Sequence, residues 1–196
     1  EWYYVTNGCV DGSYTGLTQY GGNWFYVENS YLDWSKTTLT YYNGDWYYVE
    51  NGEVNWNSNT LVNYNGDWYY TYGGVVAWDY TGLVQYNGDW YYVNGGCLDW
   101  SYTGLVQYNG DWYHVVNGYL DWSYSGVTEY EGFTYYVKGG YIDWHYNGTV
   151  ECGGNIYKVE NGVAYLFTEE DILAMYQNAA KDIAESNTDL GEWQYA

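Results

Sequence analysis

The chain has 196 residues, among them 32 Tyr, 13 Trp and 26 Gly but no Pro, and its 4 basic against 25 acidic side chains give a formal net charge of -21. Such a charge repels phosphate backbones and anionic lipid, which excludes nucleic acid and membrane surfaces as partners, and no apolar run approaches membrane-spanning length. An aromatic content of 24% also argues against disorder, because disordered acidic chains are poor in aromatic residues.

Position 1 falls inside a repeat and no signal peptide is visible in the sequence, which therefore reads as a processed or excised piece of something longer. From Trp2 onward a ladder with a step of 22 residues runs through Trp24, Trp46, Trp68, Trp90 and Trp112. A second ladder with the same step holds Trp34, Trp56, Trp78, Trp100, Trp122 and Trp144, and a third holds Tyr20, Tyr42, Tyr64, Tyr86, Tyr108 and Tyr130. The register holds from residue 1 to about 167 without insertion or deletion, which is the mark of a module that packs on copies of itself.

One unit explains the rest. "LVQY" and "DWYYV" are short runs of aromatic and β-branched residues, and Asn43-Gly44, Asn65-Gly66, Asn87-Gly88 and Asn109-Gly110 lie between such runs. Asn-Gly in that place signals a two-residue hairpin, because a type I′ turn needs positive φ at both central positions. A second turn follows at Asn51-Gly52, Gly95-Gly96, Asn117-Gly118 and Asn161-Gly162, and then a short "LDW" segment. Each unit is therefore a hairpin plus a third short strand, stable only when stacked. With Tyr86 opposite Asp89, alternation places Tyr91 and Val93 on one face and Leu83, Gln85, Trp90 and Tyr92 on the other. Tyr91's column is always aromatic and Val93's is Val except at Thr71, whereas His114 and Lys158 replace Tyr92, and Thr134 and Ile156 replace Trp90. The Tyr91/Val93 face is expected to be core and the Trp90/Tyr92 face partly open, with its rings either gluing neighbouring hairpins or presenting a ligand surface.

The remaining chemistry is sparse. Asp45, Asp67, Asp89 and Asp111 recur after the first turn, and Asp33, Asp99, Asp121 and Asp143 before the second Trp. Ladders of like charge repel, and Ca²⁺ would relieve them, but no dense D-x-D-x-D cluster is present; solvated turn carboxylates are expected and no cofactor. His114 and His145 stand alone, which excludes a zinc site, and no nucleophile elbow or placed base is visible, so no enzyme is expected. Cys9, Cys97 and Cys152 are an odd set and read as small apolar fillers. Cys9 and Cys97 are four units apart, roughly 19 Å at one strand spacing per unit and beyond the ~7 Å reach of a disulfide.

At Thr168 the pattern changes. "TEEDILAMYQNAAKDIAES" predicts a helix with Thr168 as N-cap, Glu169, Glu170 and Asp171 in the first turn, and an apolar stripe of Ile172, Tyr176, Ala179, Ala180 and Ile183. A repeat stack needs its end covered, so residues 168–187 are expected to form a capping helix, with docking to another chain as the alternative. Residues 188–196 read as a tail in which Trp193 tucks against the cap.

"NGDWYYVNGG" preceded by "TGL" resembles the choline-binding and cell-wall-binding repeats of bacterial surface proteins, which also occur in glucan-binding enzymes and toxin repeat tails. The resemblance covers residues 1 to about 167. It implies a non-catalytic attachment module in which hairpins stack into a β-solenoid and ligands sit between successive hairpins, lined by Trp and Tyr. Carried over, the matching positions are Trp46, Trp68, Trp90 and Trp112 with Tyr48, Tyr70 and Tyr92 beside them. This chain departs at Thr81-Gly82-Leu83 and Thr103-Gly104-Leu105, where the family writes T-G-W, and instead supplies a Trp in "LDW", so Trp78, Trp100 and Trp122 join the candidate ligand-binding residues.

The sequence thus predicts an all-β fold: a β-hairpin repeat solenoid of 22-residue units over 1–167, about seven to eight of them, with a C-terminal capping α-helix. The expected function is a secreted or cell-surface binding module for cell-wall polymer, glycan or choline-like groups. The alternative is a structural spacer or a fibre subunit associating end to end.

Overall fold

The computed structural model describes residues 1–188, with side chains to 186. The chain divides into two compact units, Glu1–Trp122 and Ser123–Ala196. After a small strand pair, Val5–Thr6 with Cys9–Val10, the first unit holds hairpins Gly16–Tyr20/Asn23–Glu28, Thr38–Tyr42/Asp45–Glu50, Asn59–Tyr64/Asp67–Tyr72, Gly82–Tyr86/Asp89–Asn94 and Gly104–Tyr108/Asp111–Val116. The second holds Ser125–Tyr130/Phe133–Lys138, Gly148–Cys152/Asn155–Glu160 and the helix Glu169–Thr188. Each hairpin is followed by a short strand, such as Cys97–Leu98 or Tyr119–Leu120. The all-β hairpin repeat with one C-terminal helix is the architecture the sequence predicts.

The predicted register holds residue by residue: Tyr86 pairs with Asp89, Gln85 with Trp90 and Val84 with Tyr91. Asn87 has φ 52° and Gly88 φ 95°, the positive pair that a type I′ turn demands. Successive hairpins are fastened at one point. Tyr91 pairs with Tyr119 of the following short strand, and the Tyr92 N–H donates to the Gly118 carbonyl at 2.8 Å. The equivalent bond from Tyr70 runs to Gly96, also at 2.8 Å. Gly96 has φ +75°, and a Cβ on it would lie 2.8 Å from the Ala77 carbonyl oxygen, so glycine is required there by both conformation and close approach.

The core corrects the expected division into two faces. Val93 and Val115 are fully buried, but so are Leu83 and Leu105 from the face expected to be open, and Tyr92 is only 9% exposed. Stacking covers both faces near the hairpin base. Burial instead falls off towards the tip, where Gln85, Asn87 and Asp89 are exposed. Of the two variants in Tyr92's column, His114 is held inside whereas Lys158 is exposed, so the variation does not mark the whole column as surface. Tyr92 stacks on Tyr102 with ring centroids 4.0 Å apart, and the Tyr102 hydroxyl donates to the Leu105 carbonyl at 2.7 Å. Tyr70 and Tyr80 repeat the arrangement with centroids 4.6 Å apart. Where Lys36 stands in Tyr102's column its ammonium lies 5.1 Å from the centre of the Tyr26 ring. Where Ser58 stands, its hydroxyl meets Thr71 at 2.9 Å.

In the second unit Thr168 caps the helix, its hydroxyl accepting the Asp171 N–H at 3.2 Å and donating to the Asp171 carboxylate at 2.7 Å. Ile172 is half-buried, but Tyr176 and Ile183 are 63% and 62% exposed, so the apolar stripe is uncovered along most of its length. Residues 189–196 of the expected tail, with Trp193, lie outside the described residues.

Candidate functional site

Because the hairpins advance by a fixed step, each first-ladder Trp meets a ring of the next hairpin. Trp90 packs edge-on against Tyr108 at 5.0 Å between centroids. Trp24–Tyr42, Trp46–Tyr64 and Trp68–Tyr86 do the same at 5.0, 5.2 and 5.2 Å. Second-ladder Trp residues are held edge-on by an aromatic ring of their own hairpin: Tyr113–Trp122 at 6.0 Å, Tyr91–Trp100 at 6.1 Å, Tyr69–Trp78 at 5.8 Å and Phe25–Trp34 at 5.9 Å.

These pairs close on one another. Trp90, Tyr108, Tyr113 and Trp122, with Leu83, Leu120 and the turn residue Asn109, line a cavity of about 250 Å³ between two successive hairpins. Leu83 and Leu120 are buried, the four rings half-buried or exposed, so the cavity opens outward beside Trp122, which is 52% exposed. The same columns, as Trp2, Tyr20, Phe25, Leu32 and Trp34, line a larger cavity of about 550 Å³ in the first repeat. Leu83, at the position where the resemblance leads one to expect Trp, and Trp122, from the later "LDW", both line the cavity.

Carboxylates act on the cage-column tyrosines. Burial first, and then the Asp111 charge and Tyr108, raise the Tyr113 phenol above its usual value. Burial and then Asp89 act likewise on Tyr91, and burial and then Asp67 on Tyr69. Asp111 is exposed at the hairpin tip two residues before Tyr113, so negative charge lies close to an aromatic wall. The other Asp ladder shapes turns, since the Asp99 carboxylate accepts from the Ser101 N–H at 3.0 Å and from the Ser101 hydroxyl at 2.6 Å. Among the described residues no three His, Cys, Asp or Glu side chains gather to hold a metal ion. Cys9, Cys97 and Cys152 are free thiols.

Of the residues singled out from sequence, Trp90 forms the inner wall of the cavity of about 250 Å³, Trp46 and Trp68 make the same edge-on contact with a Tyr of the next hairpin, and Trp112 is half-buried at the same position of the next repeat. Trp122 forms its outer wall, and Trp78 and Trp100 stand in the same column, each edge-on to a Tyr of its own hairpin. Tyr48, Tyr70 and Tyr92 point away from the cages: Tyr48 and Tyr92 are buried and Tyr70 half-buried, packed at the hairpin base. Two columns were missed. Tyr64, Tyr86 and Tyr108 were visible as a ladder but had no role, and Tyr69, Tyr91 and Tyr113 were assigned to the core because they never vary. The second unit lacks this set: Thr134 stands at the inner Trp position, Cys152 at the Tyr108 position and Leu166 at the outer Trp position.

The choline-binding repeat pattern matches residues 1–11, 13–33, 35–55, 57–76, 79–99, 101–121 and 123–143. Among solved structures the chain is similar to CbpJ from Streptococcus pneumoniae TIGR4, with 20% identity, TM-score 0.35, and coverage of 83% of this chain and 56% of that one. It is also similar to choline binding protein F from Streptococcus pneumoniae, with 23% identity, TM-score 0.33, and coverage of 83% and 55%. Alternansucrase in complex with isomaltotriose is similar at 15% identity and TM-score 0.34, over 76% of this chain and 12% of that enzyme. The chain thus spans little more than half the length of these two pneumococcal proteins. No curated protein matches it. With seven matched repeats over most of the chain, this protein belongs to the choline-binding repeat family.

Proposed function

We propose that the chain is a non-catalytic, secreted or surface-displayed binding module whose cages take choline-like quaternary ammonium groups of a cell-wall polymer. One observation carries this reading: four rings from two successive hairpins line a small cavity, and the exposed Asp111 stands two residues before one of them, Tyr113. Aromatic faces attract cations, by about 0.5–1 kcal/mol each when exposed and more when water is excluded. At about 250 Å³ the cavity is smaller than the ~300–1,000 Å³ of sites for drug-sized ligands, which favours a compact headgroup over an oligosaccharide. The formal charge of -21 draws cations towards it.

Titration of the full chain with choline chloride, followed by tryptophan fluorescence and calorimetry, tests the reading. A saturable response to choline and tetramethylammonium, with little to neutral glucans, is expected. A response to glucans alone would move the ligand class to carbohydrate. Silence towards all of them would remove the recognition role.

A second reading, self-association with another copy of this chain, is favoured by the uncovered helix stripe of Ile172, Tyr176, Ala179 and Ile183. Their spacing of four, three and four residues is that of a helix–helix seam. Sedimentation separates the two readings: a monomer over a wide concentration range would leave the helix as the proposed cap of its own chain. Among the described residues no helix is long and apolar enough to cross a membrane.

A further inference from the structure

Two kinds of Asn-Gly turn alternate along the chain. Tip turns, Asn43-Gly44, Asn65-Gly66, Asn87-Gly88 and Asn109-Gly110, join the two long strands of a hairpin. Base turns, Asn51-Gly52, Asn117-Gly118 and Asn161-Gly162, lead into the short strands. All seven Asn share the left-handed backbone, with φ between 48° and 53°. Their surroundings differ. In the base turns the Gly52, Gly118 and Gly162 N–H groups donate to the Lys36, Tyr102 and Tyr146 carbonyls at 2.8, 2.9 and 3.3 Å. The Asn51 and Asn117 N–H groups donate to the Thr37 and Thr103 hydroxyls, and that of Asn161 to the Asn147 side chain. A Cβ on those three glycines would lie 2.5, 2.7 and 3.0 Å from a backbone oxygen. In the tip turns a Cβ on the glycine would meet nothing within 4 Å, and all four Asn are exposed. Among the described residues, no tip glycine N–H makes a backbone bond of the kind that holds the base turns.

We infer that Asn109 is a self-modifying site: its side-chain amide is lost by spontaneous deamidation, and the product places a carboxylate in the lining of the cavity of about 250 Å³. The Gly110 nitrogen attacks the Asn109 side-chain carbonyl carbon. The new N–C bond closes a five-membered imide, the bond to Nδ2 breaks, and the Gly110 amide proton leaves with that nitrogen as ammonia. Water then opens the imide at one carbonyl or the other, giving aspartate or isoaspartate, and either way one negative charge replaces a neutral amide. Ring closure requires the Asn backbone to swing out of its left-handed conformation. A tip with an unheld, unobstructed glycine can do so, whereas a base turn is clamped on both residues. The tip position accommodates acid: Glu131 stands in Asn109's column with φ 48°, and its hairpin still pairs Tyr130 with Phe133. All four tips share the reactivity, but Asn109 is the one that lines the cavity. None of the residues lining it is acidic before the change. The consequence for binding rests on the cation reading above: with age the cage holds a cation more tightly.

Prolonged incubation of the full chain at mildly alkaline pH, followed by site-resolved peptide mapping in a mass spectrometer, tests the chemistry. Asn43, Asn65, Asn87 and Asn109 are expected to show the mass gain of amide-to-acid conversion while Asn51, Asn117 and Asn161 stay unchanged. Equal conversion in the two sets, or none at the tips, would overturn the site. Calorimetric titration of wild type and Asn109→Asp with tetramethylammonium chloride tests the consequence. Asn109→Asp is expected to tighten binding by about twofold to tenfold, an effect that shrinks as salt is added. A gain of binding cannot arise from misfolding. Saturable binding with the same isotherm in both proteins would overturn the link to the cage and leave the cation reading intact. An absence of binding in both would overturn that link and the cation reading together.

Discussion

Trp90 meets Tyr108 edge-on, with ring planes at 62°, although the two belong to different hairpins, and the same pair recurs through the first unit. The contact does two things at once: it glues neighbouring repeats and builds the inner wall of a cage. The outer wall, Trp122, is more exposed and packs edge-on against Tyr113 of its own hairpin.

The two walls should therefore fail differently. Trp90→Ala is expected to cost about 2–4 kcal/mol of stability, because it opens a void between hairpins, and to lose binding as well. Trp122→Ala should cost less than about 1 kcal/mol, yet weaken binding at its cage as strongly. Denaturant melts and choline titrations on both variants check this; equal loss of stability would show that Trp122 is structural.

Gly96 and Gly88 both have positive φ but different surroundings. A Cβ at Gly88 would meet nothing within 4 Å, whereas one at Gly96 would run into the Ala77 carbonyl. Gly88→Ala should cost about 1–2 kcal/mol from backbone conformation alone. Gly96→Ala should cost about 3 kcal/mol or more, because backbone has to move as well. Thermal unfolding of the two variants gives the comparison.

Ser58 and Thr71 form a buried hydroxyl pair in columns otherwise held by Tyr or Lys and by Val. Thr71→Val restores the residue of the other repeats but strands the Ser58 hydroxyl, so a loss of about 1–3 kcal/mol is expected. Adding Ser58→Ala removes the stranded group and should recover most of it. A double-mutant cycle by denaturant unfolding would reveal additive losses if the pair were irrelevant.

His114 is buried in the column of Tyr92, and desolvation lowers its pKa below 6.5, only partly opposed by the Asp121 charge. The unfolded chain takes up a proton near pH 6.5 and the folded chain only lower down. Its contribution to stability is thus complete above about 6.5 and is lost as pH falls from there towards the lowered folded value. His114→Tyr should flatten the stability profile in that window. Denaturation midpoints measured between pH 7.5 and 5 would show parallel curves if His114 were not the cause.

Much of the fold was legible because its signals are local. Asn87-Gly88 dictates the turn, the 22-residue step dictates stacking, and Thr168 with Asp171 marks the helix start. The cage was only half legible. Trp90 and Trp122 stand out by type, but that Trp90 meets Tyr108 depends on how far one hairpin is displaced over the next, which the fastening at Gly118 sets. Column variability misled at Tyr92 and Tyr113 for one reason: it was read across the sheet, whereas burial runs along each hairpin from base to tip. An invariant Tyr113 looked like core and is a cage wall; a variable Tyr92 looked like surface and is inside.

The fastening at Gly96 and Gly118 has an evolutionary corollary. A residue added beside Gly96 or Gly118 would disturb the Trp–Tyr pair that spans that crossing, since the carbonyl facing the glycine leaves no spare room. Copying or deleting an entire module leaves every such crossing intact, so gene duplication is the gentlest way for this architecture to lengthen or shorten.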